Sequence, residues 1–298
     1  MNDAANFSLL HKLEGHSGAI YSLCAFGDYV YSGGADGMIG VWDATTFLPA
    51  PLSIKVGKAI FSLYVGQERI LIGESEGAIH VVDRVARQEI RHLKYHSKGV
   101  FDLVQHGAGG HFLATGGDGV LSVFSDLDYR LQLSLKLSDG KLRRLAIHPD
   151  GLFLAASASD GKIRVLETEY FNELVSIEAH LGGAYGLVWL DSETLISTGR
   201  DAHIRVWKWA NVELAEVSAI PAHNYAIYDL IDLGKGTFAT ASRDKTVKIW
   251  DRSNFDAPHR LLDPSAKGHL RSVNALCAIG DRIWSACDDG IVRVWGSA

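Results

Sequence analysis

The chain has 298 residues, 47% hydrophobic and 21% charged, with a net charge of −6 at pH 7. That acidic balance argues against general nucleic-acid binding, which needs a basic footprint, and no run of about 18 apolar residues offers a membrane-crossing helix. Cys24, Cys277 and Cys287, all in apolar runs, read as buried free thiols in a reducing, cytoplasmic compartment, and residues 1–6 lack the basic and apolar parts of a secretory signal.

In chain order, residues 7–13 form a strand-like segment that resembles the later stretch 89–93. A pattern then recurs seven times. Repeat one carries His16, then Ile20, Tyr21 and Leu23, then Ser32, Asp36-Gly37, and Ile39-Gly40-Val41-Trp42. Repeat two has Val56 in the His place, then Ile60, Phe61, Leu63, Ile72, Glu76-Gly77, Ile79 and Val81. Repeat three has His96, Val100, Phe101, Leu103, Ala114, Asp118-Gly119, Leu121 and Val123. Repeat four has Ser138, Leu142, Arg143, Leu145, Ala156, Asp160-Gly161, Ile163 and Val165. Repeat five has His180, Ala184, Tyr185, Leu187, Ser197, Asp201, Ile204, Val206 and Trp207. Repeat six has His223, Ile227, Tyr228, Leu230, Thr240, Asp244, Val247, Ile249 and Trp250. Repeat seven has His269, Val273, Asn274, Leu276, Ser285, Asp289-Gly290, Val292, Val294 and Trp295.

The acidic positions are 40, 42, 42, 41, 43 and 45 residues apart, a period that points to a propeller or solenoid and to one domain over residues 1–298. After each acid, β-branched residues alternate with polar ones, the mark of a half-buried strand. Gly follows the acid in five copies, as a tight turn requires. In the first strand of each repeat, two apolar positions lie three apart, as in Ile20 and Leu23. Both can face the core only if an extra residue, a β-bulge, intervenes and turns the fifth and sixth positions past the His site away from the core. After Trp295 too little chain remains for a fourth strand, so residues 7–13 are expected to pair with the last repeat and close the ring.

Trp42-Asp43 and Trp250-Asp251, with Gly15-His16 and Gly268-His269 and their relaxed variants in phase, resemble the WD-repeat family over roughly residues 7–296. The resemblance implies an all-β, seven-bladed β-propeller with four-stranded antiparallel blades. It also assigns a structural role to His16-Ser32-Asp36-Trp42, His180-Ser197-Asp201-Trp207, His223-Thr240-Asp244-Trp250 and His269-Ser285-Asp289-Trp295. These sets match a hydrolase triad by residue type, but four copies of a nucleophile make no functional sense, and triads are recognised by geometry. In repeats two to four, Val56, Ser138, Ile72, Ala114 and Ala156 replace His or hydroxyl residues and Trp is absent. Residues 50–170 are therefore expected to be the softer half, held by apolar packing. No metal site is expected: His92, His96, His106 and His111 lack ligand-like spacing. No cofactor is expected either.

The resemblance further implies that the fifth position past the His and the residue before the acid ring the channel mouth and contact a peptide. Here these are Tyr21, Phe61, Phe101, Arg143, Tyr185, Tyr228 and Asn274, with Arg200, Arg243 and Asp288. Aromatic and Arg side chains are enriched at binding hot spots. Lys141, Arg143, Arg144, Arg200, Arg243 and Lys245 favour an acidic or phosphorylated segment, against Asp102, Asp229, Asp288 and Asp289 nearby. The reading is a non-catalytic protein-interaction scaffold, a monomer or one subunit of a hetero-complex, engaging no nucleic acid and no membrane. The alternative is a propeller enzyme of lyase or hydrolase type acting in the central funnel. Its candidates, Asp102, Arg143, Arg144 and Asp229, vary among repeats and are not evidently paired.

Overall fold

A computed structural model describes residues 7–51, 53–255, 257–262 and 268–297. Residues 1–6, read above for a targeting signal, lie outside the described residues. The chain folds into seven four-stranded antiparallel sheets. The first six blades take their strands in chain order, and their innermost strands are Ile20–Phe26, Ile60–Val65, Val100–His106, Leu142–Ile147, Ala184–Trp189 and Ile227–Gly234. Blade seven is built from Val273–Ile279, Arg282–Cys287 and Ile291–Ser297, with the N-terminal strand Phe7–Glu14 on its outside. Phe7 pairs with Ser297 and Leu13 with Val292, so the two ends of the chain share one sheet and the ring closes.

Each sheet has two apolar faces, and each face is covered by the next blade. The core is accordingly divided into seven apolar clusters, each joining two neighbouring blades. Ile39, Ile60 and Ile70 meet between blades one and two, for example, and Val30, Trp42 and Trp284 between seven and one. Each fully buried Leu or Ile contributes about 1.5–3 kcal/mol of transfer free energy. Outermost strands such as Leu131–Lys136 and Glu173–Glu178 alternate between exposed and half-buried residues, which gives the ring a polar rim.

All seven innermost strands carry a register shift at the fifth position past the His site, between Ile20 and Ser22 in blade one and at the corresponding place in the others. The bulged residues Tyr21, Phe61, Phe101, Arg143, Tyr185 and Asn274 are half-buried and Tyr228 is exposed. The sixth positions behave differently from the expectation that both would turn outward. Ser22, Ser62, Asp102, Gly186, Asp229 and Ala275 are buried against the neighbouring innermost strand. Once the bulge has absorbed one residue, the next side chain points along the ring. Ser62 Oγ accordingly donates to the Val100 carbonyl of the next blade at 3.0 Å.

The turn after each acid requires a left-handed residue in every blade. Gly supplies it five times, while Ala202 and Lys245 adopt φ of 63° and 75° in blades five and six.

Candidate functional site: the mouth of the funnel

The bulges aim their side chains at one end of the central channel. There they form a continuous arc. Tyr21 meets Phe61 edge-on at 5.5 Å, and Phe61 stacks on Phe101 at 5.3 Å. The Arg143 guanidinium lies 4.8 Å from the ring centres of both Phe101 and Tyr185, and Tyr185 meets Tyr228 at 6.1 Å. Asn274 completes the circuit, with Nδ2 donating to Asp288 Oδ1 at 2.7 Å and to the Ile20 carbonyl at 2.9 Å. These residues line a funnel of about 480 Å³. Arg143 makes no ion pair among the described residues, and its Nε has no hydrogen-bond partner there. Burial lowers its pKa, partly offset by Tyr185 and Tyr228. Lys141 reaches 5.2 Å from the Phe101 ring, and burial followed by repulsion from Arg143 and Lys98 lowers its pKa too.

Eight of the ten residues assigned to the mouth from sequence line this funnel; Arg200 and Arg243 do not. Both are exposed on the surrounding rim, where Arg243 lies 5.8 Å over the Tyr225 ring. They follow the second strand, one strand farther from the axis; Asp288, at the same place in blade seven, is held at the funnel by the bond from Asn274.

The funnel floor corrects the view that its charged groups are unpaired. Arg144 contacts Asp229 and lies 3.8 Å from Asp102. Asp102 accepts from the backbone N–H groups of Leu103 and of Leu145 in the next blade, at 3.1 and 2.8 Å. Asp229 accepts likewise from Leu230 and from Leu276 of the next blade, at 2.9 and 2.7 Å. Burial raises both carboxyls, with Arg144 and the backbone donors opposing it. Each aspartate is thus a staple between blades three and four or six and seven, a role that residue type alone did not reveal.

The four His-containing sets are placed as follows. His16 Nδ1 lies 3.0 Å from Asp36, its Nε2 2.7 Å from Ser32 Oγ, and Trp42 Nε1 donates to Ser32 at 2.9 Å. His180 joins Asp201 and Ser197 at 2.8 Å each, with Trp207 donating to Ser197 at 2.8 Å. His223 joins Asp244 and Thr240 at 2.8 Å each, with Trp250 donating to Thr240 at 2.9 Å. A carboxylate can only accept, so Nδ1 carries the proton and Nε2 accepts from the hydroxyl. Burial alone would raise Asp201, but the hydrogen bond and charge of His180, with backbone donors, hold it at about 2. These hydroxyl residues are fully buried, and none of them lines the funnel.

Blade seven is wired differently. Arg293, buried, donates to Asp289 at 3.1 and 2.7 Å and reaches His269 Nδ1 at 3.1 Å. It stands between the two residues expected to bond directly. A guanidinium can only donate, so His269 Nδ1 must accept, and Nε2–H donates to Ser285 at 2.6 Å. Burial, then repulsion from Arg293, lowers His269 to about 3. The sequence signal for this is Arg293 itself, at the centre of the third strand.

Blades two to four keep reduced polar contacts rather than apolar packing alone. In blade four Ser138 and Arg164 both donate to Asp160, at 2.8 and 2.7 Å. In blade three His96 bonds Asp118 at 3.2 Å, and with Ala114 opposite, its Nε2 has no partner among the described residues. In blade two the acid read from the repeat, Glu76, is on the surface against Lys58; the buried Glu74 takes its role, accepting from the N–H groups of Glu76 and Ala78 at 3.0 and 2.9 Å. The histidines clustered in sequence fall into three places. His96 joins Asp118, His106 pairs with His111 across one hairpin and its Nε2–H donates to the Gly151 carbonyl at 2.9 Å, and His92 faces His80 and Glu89. Cys24, Cys277 and Cys287 are free; burial raises Cys24 and Cys287 to about 11 and Cys277 well above its usual value, which favours the neutral thiol in all three.

Comparison with known proteins agrees with this architecture. The WD domain, G-beta repeat model matches residues 7–43, 87–125, 131–166, 171–208, 215–251 and 263–296. The chain is 25% identical over 288 residues to actin-interacting protein 1 of Drosophila melanogaster, covering 91% of this chain and 46% of that protein. It is 22% identical over 301 residues to WD repeat-containing protein 1 of Gallus gallus, covering 95% and 48%. The chain therefore spans about half the length of these relatives. A shorter match, 24% over 152 residues, covers 51% of this chain and 13% of WD repeat and HMG-box DNA-binding protein 1 of Mus musculus. Among solved structures, the WD40 propeller domain of Doa1 superposes with a TM-score of 0.83 at 16% identity, covering 98% of each chain. The computationally designed Ika8 protein superposes with a TM-score of 0.74 at 23% identity, covering 97% of this chain and 99% of Ika8. At these identities the structural likeness speaks for the fold alone.

Proposed function

The chain belongs to the WD domain, G-beta repeat family, and from that premise we propose that it is a non-catalytic interaction scaffold that grips a protein segment at the funnel mouth. The observation that carries the reading is Arg143, clamped between Phe101 and Tyr185 with no acidic partner among the described residues. A cation held rigid and half-desolvated without a counter-charge favours an acceptor supplied from outside. Lys141 beside it, and Arg200, Arg243 and Lys245 on the rim, favour a carboxylate or phosphate on the side of blades four to six. The aromatic arc supplies apolar area that is already ordered, so a ligand loses little side-chain entropy there. The name of one relative, actin-interacting protein 1, fits an interaction role without identifying a partner for this chain.

The competing reading, a propeller lyase or hydrolase, draws on Asp102, Arg144 and Asp229 beneath the same funnel. Their oxygens are already engaged by four backbone N–H groups and one guanidinium, which leaves little capacity for proton transfer.

A peptide library containing neutral, acidic and phosphorylated segments, read by fluorescence polarisation, tests the proposal. Binding is expected to favour the acidic or phosphorylated members. The triple variant Tyr21→Ala, Phe101→Ala, Arg143→Glu, checked for a cooperative melt, should weaken it at least about tenfold, or about 1.4 kcal/mol. Equal binding by the variant would move the interface to the blade edges or the opposite end.

A further inference from the structure

In blade two the third strand, Ala78–Asp83, pairs with the outer strand Gln88–Lys94, and His80 lies directly opposite His92. Glu89 is three residues before His92, so in a regular strand the two side chains would face opposite sides. The register shift between Val81 and Val82 leaves Ile90 unpaired and brings Glu89 opposite Val82, on the same face as both histidines. His80 Nδ1 then lies 2.8 Å from Glu89 Oε1, His92 Nδ1 3.6 Å from the same oxygen, and the two imidazole centres are 4.6 Å apart. One donor atom from each of the three residues falls within 4.8 Å of the other two.

The same places in other blades are occupied differently. Glu173 and Glu216 correspond to Glu89 by register, and each faces a permanent cation: Arg164 Nε at 3.6 Å from Glu173, and Arg205 Nη1 at 2.5 Å from Glu216. Ser176 and Ala219 stand where blade two has His92. Blade two has thus exchanged an Arg–Glu pair for two neutral-capable nitrogen ligands around one carboxylate. It has also opened a space beside them. Val56, Ile72 and Val82 stand where other blades have His, a hydroxyl residue and Trp, and the adjoining outer strand of blade one is only Ile54–Lys55. The result is a crevice of about 550 Å³ between blades one and two, with His80 and Glu89 in its wall.

We propose that His80, Glu89 and His92 bind a divalent transition-metal ion of the zinc class on the flank of blade two, its fourth position open to this crevice. Two imidazoles and one carboxylate are a donor set that suits Zn²⁺, with bonds of about 2.0–2.2 Å and water or another ligand in the fourth place. His92 and Glu89 are about half-exposed, so their side chains can close on an ion without moving the backbone. Lys55 and Arg87 line the crevice, so the open position favours an anionic ligand. The site is separate from the funnel mouth, and its test does not depend on peptide binding.

The full chain, stripped of metal, is titrated with ZnCl₂ in competition with a chromophoric chelator, and with Co²⁺ as a spectroscopic probe. One Zn²⁺ per chain is expected, with the visible absorption of four-coordinate Co²⁺. His92→Ala and Glu89→Gln, both at exposed positions, should each weaken Zn²⁺ at least about tenfold while leaving the metal-free melting temperature unchanged. Absence of stoichiometric binding would overturn the proposal. So would binding that both variants retain, which would place the ion elsewhere, for instance among His269, Cys287 and Asp289.

Discussion

At the residue scale, one arginine reverses the hydrogen-bond polarity of a repeated motif. His16, His180 and His223 each face an aspartate and carry their proton on Nδ1, whereas His269 faces Arg293 and must carry it on Nε2. Long-range ¹⁵N correlation spectra should show the Nδ1–H tautomer for His16, His180 and His223 and the Nε2–H tautomer for His269. The pH dependence follows. His269 is lowered by burial and then by Arg293 to about 3 in the fold, against about 6.5 unfolded. Between those values the unfolded chain binds a proton that the folded chain does not. This contribution to stability is therefore complete above about pH 6.5 and declines as pH falls toward 3, by up to about 1.4 kcal/mol per pH unit. In Arg293→Ser, His269 can bond Asp289 directly and its pKa rises. Urea unfolding at pH 7.5 and 5.0 should show a smaller stability loss in the variant than in the wild type. An equal loss, or an unchanged tautomer, would refute the wiring.

At the element scale, the turn between second and third strands needs an acid to cap its N–H groups, and any acid that reaches them will serve. In six blades the repeat's own aspartate accepts from the N–H two residues on; in blade two Glu74, two residues earlier than the repeat's place, accepts from two, those of Glu76 and Ala78. Glu74→Ala orphans two backbone donors and is expected to cost about 1–3 kcal/mol by urea unfolding, whereas Glu76→Ala on the surface should leave stability unchanged. The reverse order would restore Glu76 as the structural acid. This is also where reading by phase reaches its limit. The period located every turn, but it placed the acid of blade two by alignment, and only the backbone path shows which carboxylate points inward. The bulges are the contrary case: paired apolar positions three apart imply them, and each innermost strand has one at that place. The sixth position departs from the outward-facing expectation because its environment belongs to the neighbouring blade, and no local pattern encodes that neighbour.

At the scale of the whole molecule, seven like interfaces are held by one closure. The strand Phe7–Glu14 covers the edge of Ile291–Ser297, and Leu13 enters the cluster shared by blades seven and one. Deleting residues 1–14 bares a strand edge and removes that packing. The melting temperature should fall by at least about 5 °C, and the protein should self-associate on gel filtration. A truncated chain that melts like the intact one and stays monodisperse would show the closure to be dispensable. Arg69, Arg252 and Arg282 tie blades farther out, the last through the Ala44 carbonyl at 2.7 Å across the chain termini.

What could be deduced before any coordinates is what repetition and alternation encode: seven units, their strand order, the bulges, the closing strand, and most of the mouth. Those properties depend on near neighbours in the chain, and each is stated seven times over. The tertiary structure alone decided the properties that depend on side chains from different blades or from misaligned strands. Among them are the Arg144 staple between Asp102 and Asp229, the intrusion of Arg293 at His269, and the exclusion of Arg200 and Arg243 from the funnel. The meeting of His80, Glu89 and His92 is another. The physical reason is common to all four. A hydrogen bond or ion pair is settled within about 3–4 Å, so it is fixed by the packing of elements that the sequence leaves far apart or out of register.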